Sequence, residues 1–253
     1  MTIGILGREI RWVIVGLFCI LPVAALAGGW EKTKNIADDV IYAGIDRTFY
    51  CGCRYQSDGD SDGSGKITDT AVCGYVAPPT HANRAGRVEW EHIVPASLMP
   101  ARQFECWAGQ GGSRQRCQDT DPRAQGMIFD LHNLAPSIGQ VNALRGNDRY
   151  ADLPDETSDF GGCLIEDSSN RFEPPDCHKG DVARVWFYMQ LRHGVEIPST
   201  ELAMFVQWAA QDPVSPWESK REKRIANYSR VINPFVHGIA PDRAGACPWE
   251  PGQ

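Results

Sequence analysis

No internal repeat and no low-complexity linker interrupts the 253 residues, which excludes a solenoid, a propeller or a string of modules. Basic charge is not in excess. The net charge is −7, so bulk charge argues against a strongly nucleic-acid-coating protein, although a local basic face would suffice for binding. Lysine is scarce: arginine supplies 19 of the 25 basic residues. Its planar fork suits phosphate better than an ammonium point charge. No His-Glu-x-x-His stretch is present, which removes the helix-borne zinc peptidase reading. Cysteine pairs with the two-residue gap of structural zinc sites are also missing, since Cys51-Gly52-Cys53 has a one-residue gap.

Only one long apolar run occurs, "WVIVGLFCILPVAALA" at 12–27. Arg8 and Arg11 precede it, and Ala25-Leu26-Ala27 is a small-x-small cleavage pattern. The pattern predicts a secretory signal over 1–27, removed after about Ala27. Pro22 and the cleavage pattern argue against a membrane anchor, and bulky Phe18 argues against lipid attachment at Cys19. The expected product is one domain over 28–253 in the periplasm or the medium, monomeric and without stable membrane association. Loss of Arg8, Glu9 and Arg11 takes its net charge from −7 to −8.

What remains has eight cysteines: Cys51, Cys53, Cys73, Cys106, Cys117, Cys163, Cys177 and Cys247. An even count in an oxidising compartment predicts disulfides rather than a metal site. Residues 30–44 predict a helix, and 47–100 a loop-rich region of short strands. "LAPSIGQVNALRG" predicts a helix after Pro136 closed by Gly146, whereas 147–180 lacks periodicity and predicts loops. Three helices follow at 181–194, 199–211 and 217–230, with Asp181 and Ser199 or Thr200 as N-caps and Gly194 as a stop. The fold class is therefore mixed α+β, with helices enriched towards the C-terminus.

"RVEWEHIVPA" sets Glu91 beside His92 just before a strand-breaking Pro95. Neighbours on a strand face opposite ways, so this pair alone makes a weak site. "DLHNLAPSIGQVN" adds Asn133 before a helix and Asn142 within it. An acidic-His pair, then an asparagine before a helix and another inside it, resembles the arrangement of the endonuclease I family, exported nucleases built on a central ββα-metal (His-Me) finger. The resemblance also includes "FYCGC", "CGY", "ECW" with Gly111-Gly112 and Cys117, "ARVWFYM", "PVSPWE", "RIA" and "NPFV", in order along nearly all of the mature chain.

It implies roles residue by residue. Glu91 and Asn142 would ligate the metal, His92 would be the general base, and Arg114 would grip the scissile phosphate, with Arg116 as the alternative. Asn133 would hold the finger loop, and His132 would be structural or stand behind the site. The implied cofactor is Mg2+, with Mn2+ or Ca2+ as substitutes. The implied partner is DNA, or RNA, held by its phosphate backbone and cut to leave 5′-phosphate ends. Cys106–Cys117 is the disulfide the resemblance favours, with Cys53–Cys73 and Cys177–Cys247 as further suggestions. Two departures stand out. The glutamate the family often carries two residues before the aspartate of "DLHN" is Ile128 here, and a cysteine often found after "WE" is Ser219, with Cys177 appearing elsewhere. His81, His178, His193 and His237 read as solvated. The competing reading is a decayed, disulfide-rich extracellular binding module with a calcium-stabilised loop.

That loop is the insertion "DGDSDGSGKITD". Asp58, Asp60, Asp62 and, at the twelfth position, Asp69 match part of a calcium loop. It lies outside the matched motifs. Replacing Asp58, Asp60 and Asp62 together by Asn is therefore expected to leave plasmid nicking at saturating magnesium nearly unchanged. Abolished nicking would place the loop in the active site.

Overall fold

The computed structural model describes residues 29–57, 65–153, 158 and 160–250. The predicted leader, and Asp58, Asp60 and Asp62 of the predicted calcium loop, lie outside the described residues. Asp69 is described, and its carboxylate caps a helix by accepting from Val72 N at 2.9 Å. In chain order the elements are α1 (Gly29–Ile36), β1 (Arg54–Ser57), β2 (Gly65–Asp69), α2 (Thr70–Cys73), β3 (Arg87–His92), α3 (Glu105–Ala108), α4 (Arg114–Thr120), α5 (Pro122–Ile128), β4 (Leu134–Ile138), α6 (Gly139–Arg145), β5 (Arg149–Tyr150), β6 (Glu166–Ser168), β7 (Arg171–Glu173), α7 (Asp176–His193), α8 (Ser199–Gln211) and α9 (Pro216–Ser229). The fold is mixed α+β, as the sequence predicts. No helix among the described residues is long and apolar enough to cross a membrane.

The first sheet is antiparallel with order β1-β2-β3-β4. Its last two strands pair from Val88 opposite Ile138 to His92 opposite Leu134, and α6 follows β4 directly. This β3-β4-α6 unit carries most of the chemistry. The predicted helix starting after Pro136 is a strand until Ile138. Pro136 has no N–H to give a helix and would clash one turn back, but β4 is the sheet edge, where proline is tolerated. Its carbonyl takes Phe49 N at 2.7 Å instead. All five residues of β4 are buried, the polar Ser137 included, so the strand gave no apolar-polar alternation to read.

The 147–180 region, predicted as loops, builds a second sheet of order β5-β7-β6 from very short strands. Helix α7 starts at Asp176, not at Asp181, which lies inside it and is buried. Helix α8 starts at Ser199, with Pro198 rather than Ser199 or Thr200 at the cap position. Gly180 on α7 lets the α8–α9 connection come close, since a Cβ there would sit 2.0 Å from Asp212 O. Trp186, Phe205 and Trp208 fill the space between α7 and α8, with Trp186 and Phe205 stacked at 5.3 Å.

Four disulfides join Cys51–Cys163, Cys53–Cys73, Cys106–Cys117 and Cys177–Cys247. The first ties the segment before β1 to the segment between β5 and β6, across 112 residues. Closing long loops removes most entropy from the unfolded chain, so this bond contributes at the upper end of the usual about 2–4 kcal/mol.

Two polar residues are spent on the frame. Asn133 is fully buried and grips both backbone groups of Val94, accepting from its N at 2.7 Å and donating to its O at 3.0 Å. His132 is buried against α9, its Nε2 3.3 Å from Val231 O, and burial pushes its pKa down to about 4. Because Asn133→Ala strands a buried donor and acceptor, it is expected to cost about 2–4 kcal/mol in urea unfolding. A loss below about 0.5 kcal/mol, the scale of an ordinary surface change, would mean that water replaces both bonds.

Candidate active site

Strand period and helix period meet at β3 and α6. Glu89 and Glu91 share a strand face, and Asn142 and Arg145 share a helix face one turn apart. The pairs form in order: Asn142 Nδ2 donates to Glu89 Oε2 at 2.9 Å, and Arg145 Nη1 donates to Glu91 Oε1 at 2.8 Å. Arg145 also donates to His92 O at 2.7 Å and to Ile93 O at 2.8 Å. Tyr50 donates to the same Glu91 oxygen at 2.8 Å and shares a 2.6 Å hydrogen bond with Tyr150.

A cleft of about 670 Å³ opens beside these pairs. Lys34, Arg84, Arg87, Arg114 and Arg145 line it against one acid, Glu89, with His92, Asn142 and Trp30. Of the sequence-derived site residues, the structure brings His92, Arg114 and Asn142 into this cleft. Arg114, not Arg116, is the arginine that lines it. It opens α4, whose N-cap Ser113 accepts from Arg116 N at 3.0 Å. Glu91 stands behind the cleft wall and is 1% exposed. His132 and Asn133 do not line the cleft.

The two glutamates differ chemically. Glu89 is saturated: Arg84, Arg87 and Asn142 all donate to it. Burial pushes its pKa up, but these donors outweigh burial and hold it below the ordinary value. Glu91 is pushed up by burial, opposed by the Arg145 charge and the Tyr50 hydroxyl. Its Oε2 is buried without a hydrogen-bond partner among the described residues. A free, buried carboxylate oxygen is costly unless something positive fills its place. Asn142, having turned its Nδ2 to Glu89, directs Oδ1 elsewhere. Glu91 Oε2 and Asn142 Oδ1 are both oxygens of the hard type that a divalent ion takes.

His92 Nε2 lies 2.7 Å from Ile128 O. A carbonyl only accepts, so Nε2 carries the proton and Nδ1 carries the lone pair. Trp30 stacks on the imidazole at 5.3 Å and 12°. Burial, then the Arg114 and Arg145 charges, lower the His92 pKa to about 4, against a hydrogen bond to Ile128 that raises it.

Sequence reasoning missed Trp30, Glu89 and Arg145. The spacings were visible: "VEWE" repeats an acid at period two, and "NALR" puts Arg145 at i+3 from Asn142. What was not visible is that these two periods face one another. Two histidines read as solvated are not: His178 is 2% exposed, and His193 Nε2 pairs with Asp130 at 2.7 Å.

The family model described as Endonuclease I matches residues 32–239. The chain is 37% identical to an extracellular deoxyribonuclease of Aeromonas hydrophila, covering 75% of this chain and 81% of that protein. It is 35% identical to a periplasmic deoxyribonuclease of the same organism, covering 88% and 92%. It is also 35% identical to Endonuclease-1 of Buchnera aphidicola subsp. Acyrthosiphon pisum (strain APS), covering 75% and 73%.

The His92 environment sets a pH test. A base must be neutral, so its contribution is present above its pKa and lost as pH falls through it. With the ring lowered to about 4, kcat/KM for duplex cleavage is expected to be flat between about pH 6 and 8, with its His-dependent acid limb near pH 4. A limb near 6.5, the ordinary histidine value, would show a ring that is not desolvated.

Proposed function

The chain belongs to the endonuclease I family, and on that premise we propose a divalent-metal-dependent, sequence-nonspecific endonuclease acting on the phosphodiester backbone of DNA. The single observation that carries this reading is the cleft lined together by a neutral, oriented His92, by Arg114 and by Asn142, with the buried Glu91 next to His92 on the strand behind it. A catalytically decayed binding module would have no reason to keep that set together. The nuclease domain occupies 28–253 after loss of the leader. Its place is the periplasm or the medium, in line with the names of the Aeromonas relatives and the four disulfides.

His92 Nδ1 takes a proton from water as its oxygen attacks phosphorus. The P–O3′ bond breaks and the departing O3′ takes a proton from solvent, leaving a 5′-phosphate and a 3′-hydroxyl. Ile128 O and Trp30 keep the ring in one tautomer and one plane throughout. Arg114 donates to the non-bridging phosphate oxygens, where charge grows in the transition state. Arg84 and Arg87, fixed by Glu89, present positive charge along the cleft and hold the nucleic-acid backbone without reading bases. Glu91 and Asn142 would hold Mg2+, with Mn2+ or Ca2+ as substitutes. When bound, such an ion supplies charge to the phosphate and the departing oxygen.

Two substitutions are expected to fail differently. His92→Ala should cost roughly 10²–10⁴-fold in turnover while manganese and DNA still bind. Glu91→Ala and Asn142→Ala should weaken manganese binding directly. Isothermal titration beside a supercoiled-plasmid assay separates the cases. Equal loss of metal affinity in the His92 and Glu91 variants would make His92 a ligand. Manganese binding lost in Glu89→Gln but kept in Glu91→Ala would move the ligand to Glu89.

A further inference from the structure

A second set of donor atoms lies away from the cleft, where the C-terminal segment meets α7. A ring nitrogen of His178, a carboxylate oxygen of Asp181 and one of Glu250 lie within 4.8 Å of one another, and all three residues are buried. His178 Nδ1 is 2.8 Å from Asp181 Oδ2, while its Nε2 has no partner among the described residues. Glu250 is 6% exposed, and neither of its carboxylate oxygens has a hydrogen-bond partner among the described residues. We propose that these three side chains form a structural site for a divalent transition-metal ion of the zinc type, separate from the catalytic cleft.

Charge, donor type and tethering support it. Asp181, Asp212, Glu218 and Glu250 are buried together, and among the described residues Arg184 forms its ion pairs with Glu218 and Asp181 and donates to Asp212 O at 2.7 Å. Arg221 borders the same space, but its guanidinium donates to the carbonyls of Leu131, His132 and Leu134. One imidazole with two carboxylates is a donor set that suits zinc. A cavity of about 20 Å³, lined by His178 and Glu250 with Arg47 and Trp249 but not by Asp181, has room beside two of the three groups for about one water. Phe49 stacks on His178 at 4.1 Å and closes the apolar side. The disulfide Cys177–Cys247 joins the residue before His178 to the residue three before Glu250, so it pins both halves of the site. Its sulfurs are committed to each other and are not ligands.

The test uses exported, disulfide-intact protein freed of metal by chelator and titrated with Zn2+ by calorimetry. The wild type is expected to take up one zinc ion more than Glu250→Gln and than His178→Gln. Its melting midpoint is expected to rise by several degrees at saturating zinc, a rise the two variants lose. X-ray absorption at the zinc edge should show nitrogen and oxygen neighbours and no sulfur. Plasmid nicking by Glu250→Gln with magnesium, unchanged from wild type, certifies its fold, because Glu250 is outside the cleft. Equal zinc uptake by wild type and both variants overturns the proposal. So does a Glu250→Gln variant more stable than a wild type that zinc leaves unchanged, since the acids would then be kept neutral by protons.

Discussion

The buried pair of Arg145 and Glu91 is what the catalytic half of the molecule hangs on. Both side chains are 1% exposed, so both lose nearly all their hydration. Such a pair is tolerable only where further hydrogen bonds are made, and here the two Arg145 Nη atoms reach three acceptors and the guanidinium lies over the Tyr150 ring at 4.6 Å, while its Nε has no hydrogen-bond partner among the described residues. Two of those acceptors are the carbonyls of His92 and Ile93. One guanidinium therefore fixes the end of β3, the direction of His92 and the pitch of α6, which carries Asn142 one turn earlier. Removing either partner of a buried pair typically costs about 3–5 kcal/mol, because the other charge is left uncompensated.

Local placement also explains how a chain of net charge −7 serves a polyanion. Five cations line one cleft, while the acids near it are committed to pairing. Glu89 is the clearest case. It holds Arg84 and Arg87 and so shapes the positive surface that faces the backbone. Long-range repulsion from the rest of the surface is screened within about 8–10 Å at physiological salt, while contacts inside the cleft are not.

The C-terminal helices answer a different need. They bury the large aromatics, and Asn233 ties the final segment to α7 through Arg184 O at 3.3 Å. A second dense charge cluster sits there, around Asp181 and Arg184. Its acids outnumber its cations, unlike those of the cleft. Stability in this half of the protein is thus tied to whatever neutralises that excess.

By itself the sequence determined the mixed α+β class, the even cysteine count, the three C-terminal helices and the family, because each rests on local pattern or on ordered motifs. Helix α8 was legible to its ends at Ser199 and Gln211, since an amphipathic stripe needs no distant partner. The strand Leu134–Ile138 was not, because an edge strand buried at every position shows no alternation. The second sheet escaped for a similar reason, its strands being too short to hold a period. In the cleft, motif order pointed to His92, Arg114 and Asn142, but only tertiary structure decided how the cations and acids pair. Glu89 and Glu91 are alike in sequence, and they part only where Arg84, Arg87 and Asn142 saturate one and leave an oxygen of the other bare. Hydrogen-bond saturation is a property of the assembled neighbours, and no single stretch of chain encodes it.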